Sequence, residues 1–246
     1  MDSLLIDIGK KHDHAAHRAA QIDFDIMSVP GALSPEACAA LRGAVDRDRR
    51  VDADSVDNCP EFQLNLSHND LEELIGADQT AALMRLPRQY SVKRDVARAA
   101  AAGADSSELA EVERAATDQA ERVATLRECF VRVYSGATRP WNPFHVDAYR
   151  VTVNVALSPD AQHGGGRLLG VHSGRIHTLE RGLGEATVHS SELLHGVTRM
   201  THGTRYSLIL FFDPRPRVVR KDGTVQSRWA KRTWKAHSLG ERWWEQ

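Results

Sequence analysis

The chain has 246 residues, of which 41% are hydrophobic and 26% are charged, the composition of an ordinary globular protein. Lys and Arg total 32 against 33 Asp and Glu, so the net charge is −1, which argues against nucleic-acid binding driven by charge alone. The apolar run at residues 208–212 is far shorter than the roughly 18 residues of a membrane-spanning helix. The sequence therefore predicts a globular protein without a transmembrane helix.

The N-terminal residues include Asp2 and Asp7 where a secretory signal would carry positive charge, so we expect a cytoplasmic protein. Three widely spaced cysteines, Cys38, Cys59 and Cys129, form no C-x-x-C pair. This spacing argues against a disulfide framework or a thiolate zinc site. Ordinary burial in a reducing compartment is the expected role of all three thiols.

The C-terminal residues form a basic segment. Residues 215–246 hold nine Lys or Arg and three Asp or Glu, a net charge of +6, which leaves −7 for residues 1–214. Tryptophans interleave with these cations and could stack on bases. An amphipathic helix packed on the rest of the protein explains the same residues, and we prefer it to a nucleic-acid interface.

The N-terminal half is predicted to be rich in helices. Ser34 and Pro35 have the residue types of an N-cap and a first helical position, and apolar residues follow at helical spacing. Residues 70–128 are also predicted to be helical, with breaks near Pro87 and around residues 103–106. We expect the apolar stripe of the last of these helices to pack on a sheet.

From residue 129 the period of the apolar residues changes from 3.6 to 2, which indicates short strands separated by Gly-containing turns. Strands are predicted at residues 130–134, 151–155, 186–189 and 206–212, with earlier candidates at 24–29 and 62–66. This order favours an α+β fold in which N-terminal helices buttress a β-sandwich or jelly roll. We expect a single domain over residues 1–246, made of a helix-rich part (20–126), a core (127–213) and a basic, Trp-rich extension (214–246).

His145 and Asp147 are the first candidate metal ligands. They are two residues apart, so in extended backbone both side chains point to the same face of a strand. His195 follows 48 residues after Asp147, and a sheet that folds back on itself could bring it to the same point. Two histidines and one carboxylate form the facial triad of non-haem Fe(II) oxygenases, but the same ligands would fit a zinc hydrolase.

Arg205 follows His195 by ten residues, and Ser207 would share its face of a strand. A guanidinium with a nearby hydroxyl suits a carboxylate, because it offers bidentate charge-assisted hydrogen bonds and a third donor. A dicarboxylate bound at one end by this pair could chelate a metal with its other end. An oxygenase that uses such a cosubstrate needs Arg205 and Ser207, whereas a zinc hydrolase does not.

These motifs, taken together, resemble the core of the Fe(II)/2-oxoglutarate-dependent oxygenases of the prolyl-4-hydroxylase-like type. The resemblance covers residues 127–213, about a third of the chain. In chain order the matching motifs are Tyr134-Ser135-Gly136, His145-Val146-Asp147, Gly164-Gly165-Gly166, and His195 with Arg205 ten residues later.

The resemblance implies a double-stranded β-helix (jelly-roll) core. It implies that Fe(II) is bound by His145, Asp147 and His195, and that the distal carboxylate of 2-oxoglutarate is bound by Arg205 and Ser207. It also implies that three further residues line the cosubstrate pocket: Tyr134, Thr152 and Asn154. No catalytic residue beyond the metal centre is implied.

The implied activity is a dioxygenase that consumes O₂ and 2-oxoglutarate, releases succinate and CO₂, and hydroxylates its substrate, with ascorbate as a candidate reductant. An amino acid, a peptide or a similar small polar metabolite is the leading substrate class. Alternatives within the superfamily are a protein prolyl or lysyl hydroxylase and a nucleobase demethylase. Alternatives outside it are a zinc hydrolase and a non-catalytic jelly-roll binding module. Candidates for substrate contact are Arg132, Arg139, Trp141, Arg150 and His189.

Overall fold

The computed structural model describes residues 26–120, 125–172 and 175–213. Its helices are α1 (Pro35–Asp48), α2 (His68–Ile75), α3 (Ala77–Ala101) and α4 (Ser106–Ala120). Its strands are β1 (Ile26–Val29), β2 (Arg50–Ala53), β3 (Pro60–Asn65), β4 (Leu126–Ser135), β5 (Asn142–His145), β6 (Val151–Ala156), β7 (Leu168–His172), β8 (Arg175–Leu179), β9 (Ala186–Ser190), β10 (Leu194–Val197) and β11 (Thr204–Phe212). The basic extension at 214–246 lies outside the described residues. Within the described ranges, none of the helices has the length and hydropathy needed to cross a membrane.

The strands form two antiparallel sheets. The larger sheet has the order β1-β9-β6-β11-β4-β3-β2, and the smaller sheet has the order β5-β10-β7-β8. From β4 to β11 the chain alternates between the sheets, apart from the β7–β8 hairpin within the smaller one. Tyr134 of the larger sheet packs against Leu168 and Val197 of the smaller sheet. This is the topology of a double-stranded β-helix, and it confirms the predicted α+β jelly roll.

Strand β6 shows that the two faces of the larger sheet differ in polarity. Val151, Val153 and Val155 belong to the apolar core that includes the helices. Thr152 and Asn154 alternate with them and point the other way, toward the smaller sheet. All five side chains are buried. The larger sheet therefore places buried polar groups between the two sheets, where each of them needs a partner.

The helices cover the apolar outer face of the larger sheet. The start of α1 is as predicted, since the Ser34 hydroxyl accepts a hydrogen bond from the first turn at 3.2 Å and Pro35 is the first helical residue. From α3, Leu83, Leu86 and Tyr90 enter the same core as the valines of the sheet. This layer of helices leaves the inner face of the sheet free to form a site.

Three helix predictions are wrong. Pro87 lies inside α3 and does not end it, because the lost backbone hydrogen bond is offset by burial of the neighbouring Leu83 and Tyr90. The break lies instead at Gly76, whose φ of 83° is readily adopted only by glycine. Helix α4 packs against α3 and not on a sheet. The helical prediction also runs too far, since β4 begins at Leu126.

The cysteine prediction holds for two of the three thiols. Cys38 and Cys129 are buried and free, and burial raises the pKa of Cys129 to about 12. Cys59 is exposed, contrary to the prediction. It lies between β2 and β3, where its N–H donates to the Asp57 carboxylate at 3.0 Å in a surface turn.

The position of the core gives a test of the fold. Val153→Ala should lower the free energy of unfolding by about 2–3 kcal/mol, because Val153 is fully buried between the sheet and the helices. The matched control is Val51→Ala, since Val51 is a strand residue that is 58% exposed and should change stability by less than about 0.5 kcal/mol. Urea denaturation measures both values, and equal effects would contradict the described packing.

Candidate active site

The three predicted metal ligands meet at one point. His145 of β5 pairs directly with His195 of β10, and their ring centroids are 4.3 Å apart. Strand β5 ends at His145, but the Asp147 N–H donates to the Ser191 carbonyl at 2.8 Å and keeps the carboxylate at the same place. The Asp147 oxygens lie 3.6 Å from His145 Nε2 and 3.7 Å from His195 Nε2. One ligand atom from each residue lies within 4.8 Å of the others, a spacing that a single ion could bridge.

Backbone carbonyls determine which ring nitrogen faces this point. His145 Nδ1 lies 2.8 Å from the Pro143 carbonyl, and His195 Nδ1 lies 3.0 Å from the Leu193 carbonyl. Because a carbonyl only accepts, each Nδ1 carries a hydrogen, so the neutral form of each ring presents the lone pair of Nε2 to the site. Outer contacts of this kind orient the ligands of metal sites.

The protonation states also suit a cation. Burial, together with the neighbouring His195, lowers the pKa of His145 to about 4, so this ring is neutral near pH 7. Burial alone would raise the pKa of Asp147, but the surrounding histidines and the Thr152 hydroxyl outweigh it and lower the pKa. The Thr152 hydroxyl donates to Asp147 Oδ2 at 2.5 Å. The site therefore offers imidazole nitrogen and an ionised carboxylate, which are ligands for a divalent metal.

Arg205 and Ser207 form a second polar feature between the same two sheets. Both lie on β11 and are 1% and 0% exposed, respectively. Arg205 pairs with Tyr134 across β11 and β4, and its Cζ lies 4.8 Å from the centroid of the Tyr134 ring. In the described part of the chain, the three guanidinium nitrogens of Arg205 and the Ser207 hydroxyl have no hydrogen-bond partner. Unpartnered buried donors are costly, most of all when charged, so this arrangement indicates a binding place for an anion.

The comparisons with known proteins support the fold. Neither protein-family models nor curated proteins match the sequence. Among solved structures, a Pseudomonas putida prolyl-4-hydroxylase is 16% identical, with a TM-score of 0.52, and the match covers 78% of this chain and 94% of that one.

Two further solved structures have lower TM-scores. A Burkholderia pseudomallei oxidoreductase of the 2OG-Fe(II) oxygenase family is 14% identical, with a TM-score of 0.47 over 83% of this chain and 93% of that one. A Trichoplax adhaerens prolyl hydroxylase, solved with a hypoxia-inducible-factor peptide, is 11% identical, with a TM-score of 0.49 over 85% and 96%. The chain shares its fold with the Pseudomonas putida prolyl-4-hydroxylase.

The other residues implied for the cosubstrate pocket have different surroundings. Tyr134 lies against Arg205, as a pocket residue should. Thr152 and Asn154 already have protein partners, since Thr152 donates to Asp147 and the Asn154 amide oxygen accepts from Arg181 Nη1 at 3.0 Å. Direct contact of Thr152 and Asn154 with a cosubstrate stays a prediction.

Two of the three arginines suggested for substrate contact, Arg132 and Arg139, are bound to carboxylates of the protein. Arg132 is buried and forms ion pairs with Asp54 at 3.0 Å and with Glu61. Arg139 is also buried and pairs with Asp57 at 2.9 Å. Because Glu61 on β3 and the two aspartates of the β2–β3 turn point inward, these pairs form an internal network beneath the β2–β3 hairpin. Arg132 and Arg139 are therefore neither surface residues nor free to bind an anionic substrate.

Sequence reasoning missed two residues near Arg205. Arg181 and His163 are 4% and 3% exposed, yet each directly precedes a glycine-containing turn, where polar residues are ordinarily solvated. No motif marked either of them. His189, which was a candidate for substrate contact, is fully buried, and its ring centroid lies 5.1 Å from that of His195. Its Nε2 atom has no partner among the described residues.

The hydrogen bond from Thr152 gives a test of the metal centre. Thr152→Val should weaken binding of Co(II) or Mn(II) by about tenfold, because the Asp147 carboxylate loses the donor that orients it. The control is Thr178→Val, an exposed position on β8 that should leave affinity unchanged. Competition with a chromophoric chelator measures both. Equal metal affinity in the two variants would show that Thr152 does not support the site.

Proposed function

We propose that this protein is an Fe(II)- and 2-oxoglutarate-dependent dioxygenase that hydroxylates an amino acid, a peptide or a similar small polar molecule. The observation that carries the proposal is the presence of two features between the same sheets. One is the His-Asp-His cluster, and the other is the buried guanidinium of Arg205, which has no hydrogen-bond partner among the described residues. A zinc hydrolase would explain the first feature and leave Arg205 without a function.

The residues present fit this metal and cosubstrate. His145, Asp147 and His195 would hold Fe(II), since two imidazole nitrogens and one carboxylate are a ligand set that this metal accepts. Arg205 and Ser207 would bind the distal carboxylate of 2-oxoglutarate, which supplies the acceptor that their buried donors lack. When bound, iron and 2-oxoglutarate would supply the oxidising chemistry, with consumption of O₂ and release of succinate and CO₂.

The protein's own contribution to this reaction is geometric and electrostatic. Hydrogen bonds from Nδ1 fix the rings of His145 and His195, and Thr152 fixes one oxygen of Asp147. The Tyr134 ring covers one face of the Arg205 guanidinium and excludes water from it. Low water content strengthens the attraction between this cation and a carboxylate. The protein thus fixes the side chains of the site before the metal and the cosubstrate bind, which lowers the entropic cost of binding.

A protein prolyl hydroxylase is the second candidate, supported by the fold shared with the Pseudomonas putida prolyl-4-hydroxylase. Folded proteins on one side, and pools of amino acids and short peptides on the other, incubated with the enzyme separate the two candidates, since the product carries one added oxygen that mass spectrometry locates. No observation in the described residues favours a nucleobase substrate. Cytoplasmic location and the single-domain boundaries stay predictions.

The proposed function predicts a visible metal-to-ligand charge-transfer band when Fe(II) and 2-oxoglutarate are added to the protein without oxygen. The band requires the keto acid to chelate iron at the His-Asp-His cluster. Asp147→Ala and His195→Ala should abolish it, because each removes a metal ligand. The control is His202→Ala, which removes an exposed histidine and should leave the band intact. Folded wild-type protein that shows no band would rule out the proposed function.

A second prediction concerns stability without ligands. Arg205→Met should raise the free energy of unfolding of the ligand-free protein by about 1–4 kcal/mol, because it removes a buried charge that lacks a hydrogen-bond partner in the described structure. The same variant should lose the stabilisation that Fe(II) and 2-oxoglutarate give to the wild type. Chemical denaturation with and without ligands measures both effects. A less stable Arg205→Met protein would show that Arg205 serves the fold and not a ligand.

A further inference from the structure

The pocket for an anion extends beyond Arg205. Nine buried side-chain nitrogen and oxygen atoms lack a hydrogen-bond partner in the described residues, and six of them belong to four residues: Arg205, Ser207, Arg181 and His163. Most buried polar atoms in proteins have partners, so this concentration needs an explanation. Arg205 and Ser207 are assigned above to the carboxylate of 2-oxoglutarate. Arg181 and His163 are not yet explained.

A short chain of contacts joins Arg181 to the same region. At Gly166, a Cβ atom would lie 3.2 Å from Arg205 Cδ and 3.4 Å from His163 Cε1, so these two side chains meet over the glycine. His163 Nε2 lies 3.7 Å from Asp160 Oδ1, and the same oxygen lies 3.4 Å from Arg181 Nη2. His163 and Asp160 therefore link Arg181 to Arg205, and Arg181 also contacts Asn154 on the inner face of the larger sheet.

The charges in this region do not balance. The Arg181 side chain is 1% exposed, and its carboxylate partner is Asp160, while Arg205 has no ion pair in the described structure. In this part of the described structure, two buried guanidinium groups thus have a single ion-paired carboxylate between them, which leaves a net charge of +1. Arg167 also approaches Asp160, at 3.7 Å, but its side chain is 36% exposed and water screens it. An uncompensated buried charge is unfavourable, and one carboxylate from a ligand would neutralise it.

The mutual repulsion of the two arginines points the same way. Burial, together with the nearby Arg205, lowers the pKa of Arg181 to about 9. Asn154 and Asp160 nevertheless hold the Arg181 guanidinium in place, with Nη1 donating to the Asn154 oxygen at 3.0 Å. A fixed cation that repels its neighbour is a feature that an incoming anion would stabilise.

We propose that Arg181 is a second specificity-determining cation for the cosubstrate, which makes the pocket select a dicarboxylate over a monocarboxylate. This inference rests on the proposed function. Arg205 makes the direct hydrogen bonds to the distal carboxylate, and Arg181 adds the positive field around it. Asp160 tunes that field, because it offsets one of the two charges.

Two 2-oxo acids test this role, because Arg181 should act on the distal carboxylate and on nothing else in the ligand. 2-Oxoglutarate and 2-oxopentanoate share the metal-chelating head and a five-carbon chain, and they differ in that carboxylate. Dissociation constants for both are measured without oxygen on the Fe(II)-loaded protein, from the charge-transfer band, and on the Mn(II)-loaded protein by calorimetry. Arg181→Met should raise the dissociation constant of 2-oxoglutarate by about tenfold or more, and that of 2-oxopentanoate by less than about twofold.

Two further variants serve as controls. Arg181→Lys keeps the charge and should restore most of the affinity for 2-oxoglutarate. Arg167→Met removes the exposed arginine from the same carboxylate and should change neither constant by more than about twofold. If Arg181→Met weakens the binding of both acids equally, Arg181 has only a structural role. If it weakens the binding of neither acid, the charge of Arg181 does not contribute to binding of the cosubstrate. Either result overturns the proposal.

A variant with the opposite expected effect on affinity keeps the proposal testable if Arg181→Met fails to fold. Asp160→Asn removes the negative charge beside Arg181. It should lower the dissociation constant of 2-oxoglutarate severalfold and leave that of 2-oxopentanoate unchanged. Unchanged or weaker binding of 2-oxoglutarate to folded Asp160→Asn overturns the proposal. If the wild-type protein binds 2-oxoglutarate and the Arg181 variants bind it equally well, the role of Arg181 is wrong but the proposed function stands. Wild-type protein that binds neither acid removes the proposed function as well.

Discussion

A positive charge sealed between two β-sheets is the constraint that organises the interior of this protein. The Arg205 guanidinium lies over the Tyr134 ring, and its nitrogens form no hydrogen bond within the part of the chain that the structure describes. A protein can keep such a group only if the rest of the fold is stable enough to tolerate it, and a ligand that neutralises it then binds with unusual strength. The helical layer and the valine face of β6 provide that stability on the opposite side of the sheet.

The same strand alternation that stabilises the fold also builds the site. In β6 the valines pack against the helices, while Thr152 supports the Asp147 carboxylate and Asn154 holds Arg181. A shift of register by one residue would exchange these two sets, so apolar packing and ligand binding depend on the same alignment of strands. This coupling explains why the His-Asp-His cluster and the buried guanidinium of Arg205 can lie on facing sheets and still be held in fixed relation.

Local sequence patterns predicted the elements well, because their causes are local. The period of two in β6 and β11 and the N-cap at Ser34 are effects that act over a few residues. The cluster of His145, Asp147 and His195 was predicted from its resemblance to a known family arrangement. Predictions failed where tertiary contacts decide the outcome. Packing carries α3 through Pro87, and α4 lies against α3 because the sheet is already covered.

The parts of the site that could not be predicted are those without a motif. A sequence pattern shows charge but not burial, so Arg132 and Arg139 gave no sign that the β2–β3 hairpin would turn carboxylates toward them. Arg181 gave no sign that its turn lies between the sheets. The missing information in each case is which strand becomes the neighbour, and that depends on the closed topology of the whole jelly roll.

The most direct measurement is a crystal structure of the protein grown without oxygen in the presence of Mn(II) and 2-oxoglutarate. We expect one metal ion bound by His145 Nε2, His195 Nε2 and an Asp147 oxygen. We also expect the keto acid to chelate that ion, with its distal carboxylate on the Arg205 guanidinium and the Ser207 hydroxyl. A metal bound elsewhere, or an Arg205 guanidinium that still has no anion beside it, would contradict the proposed function.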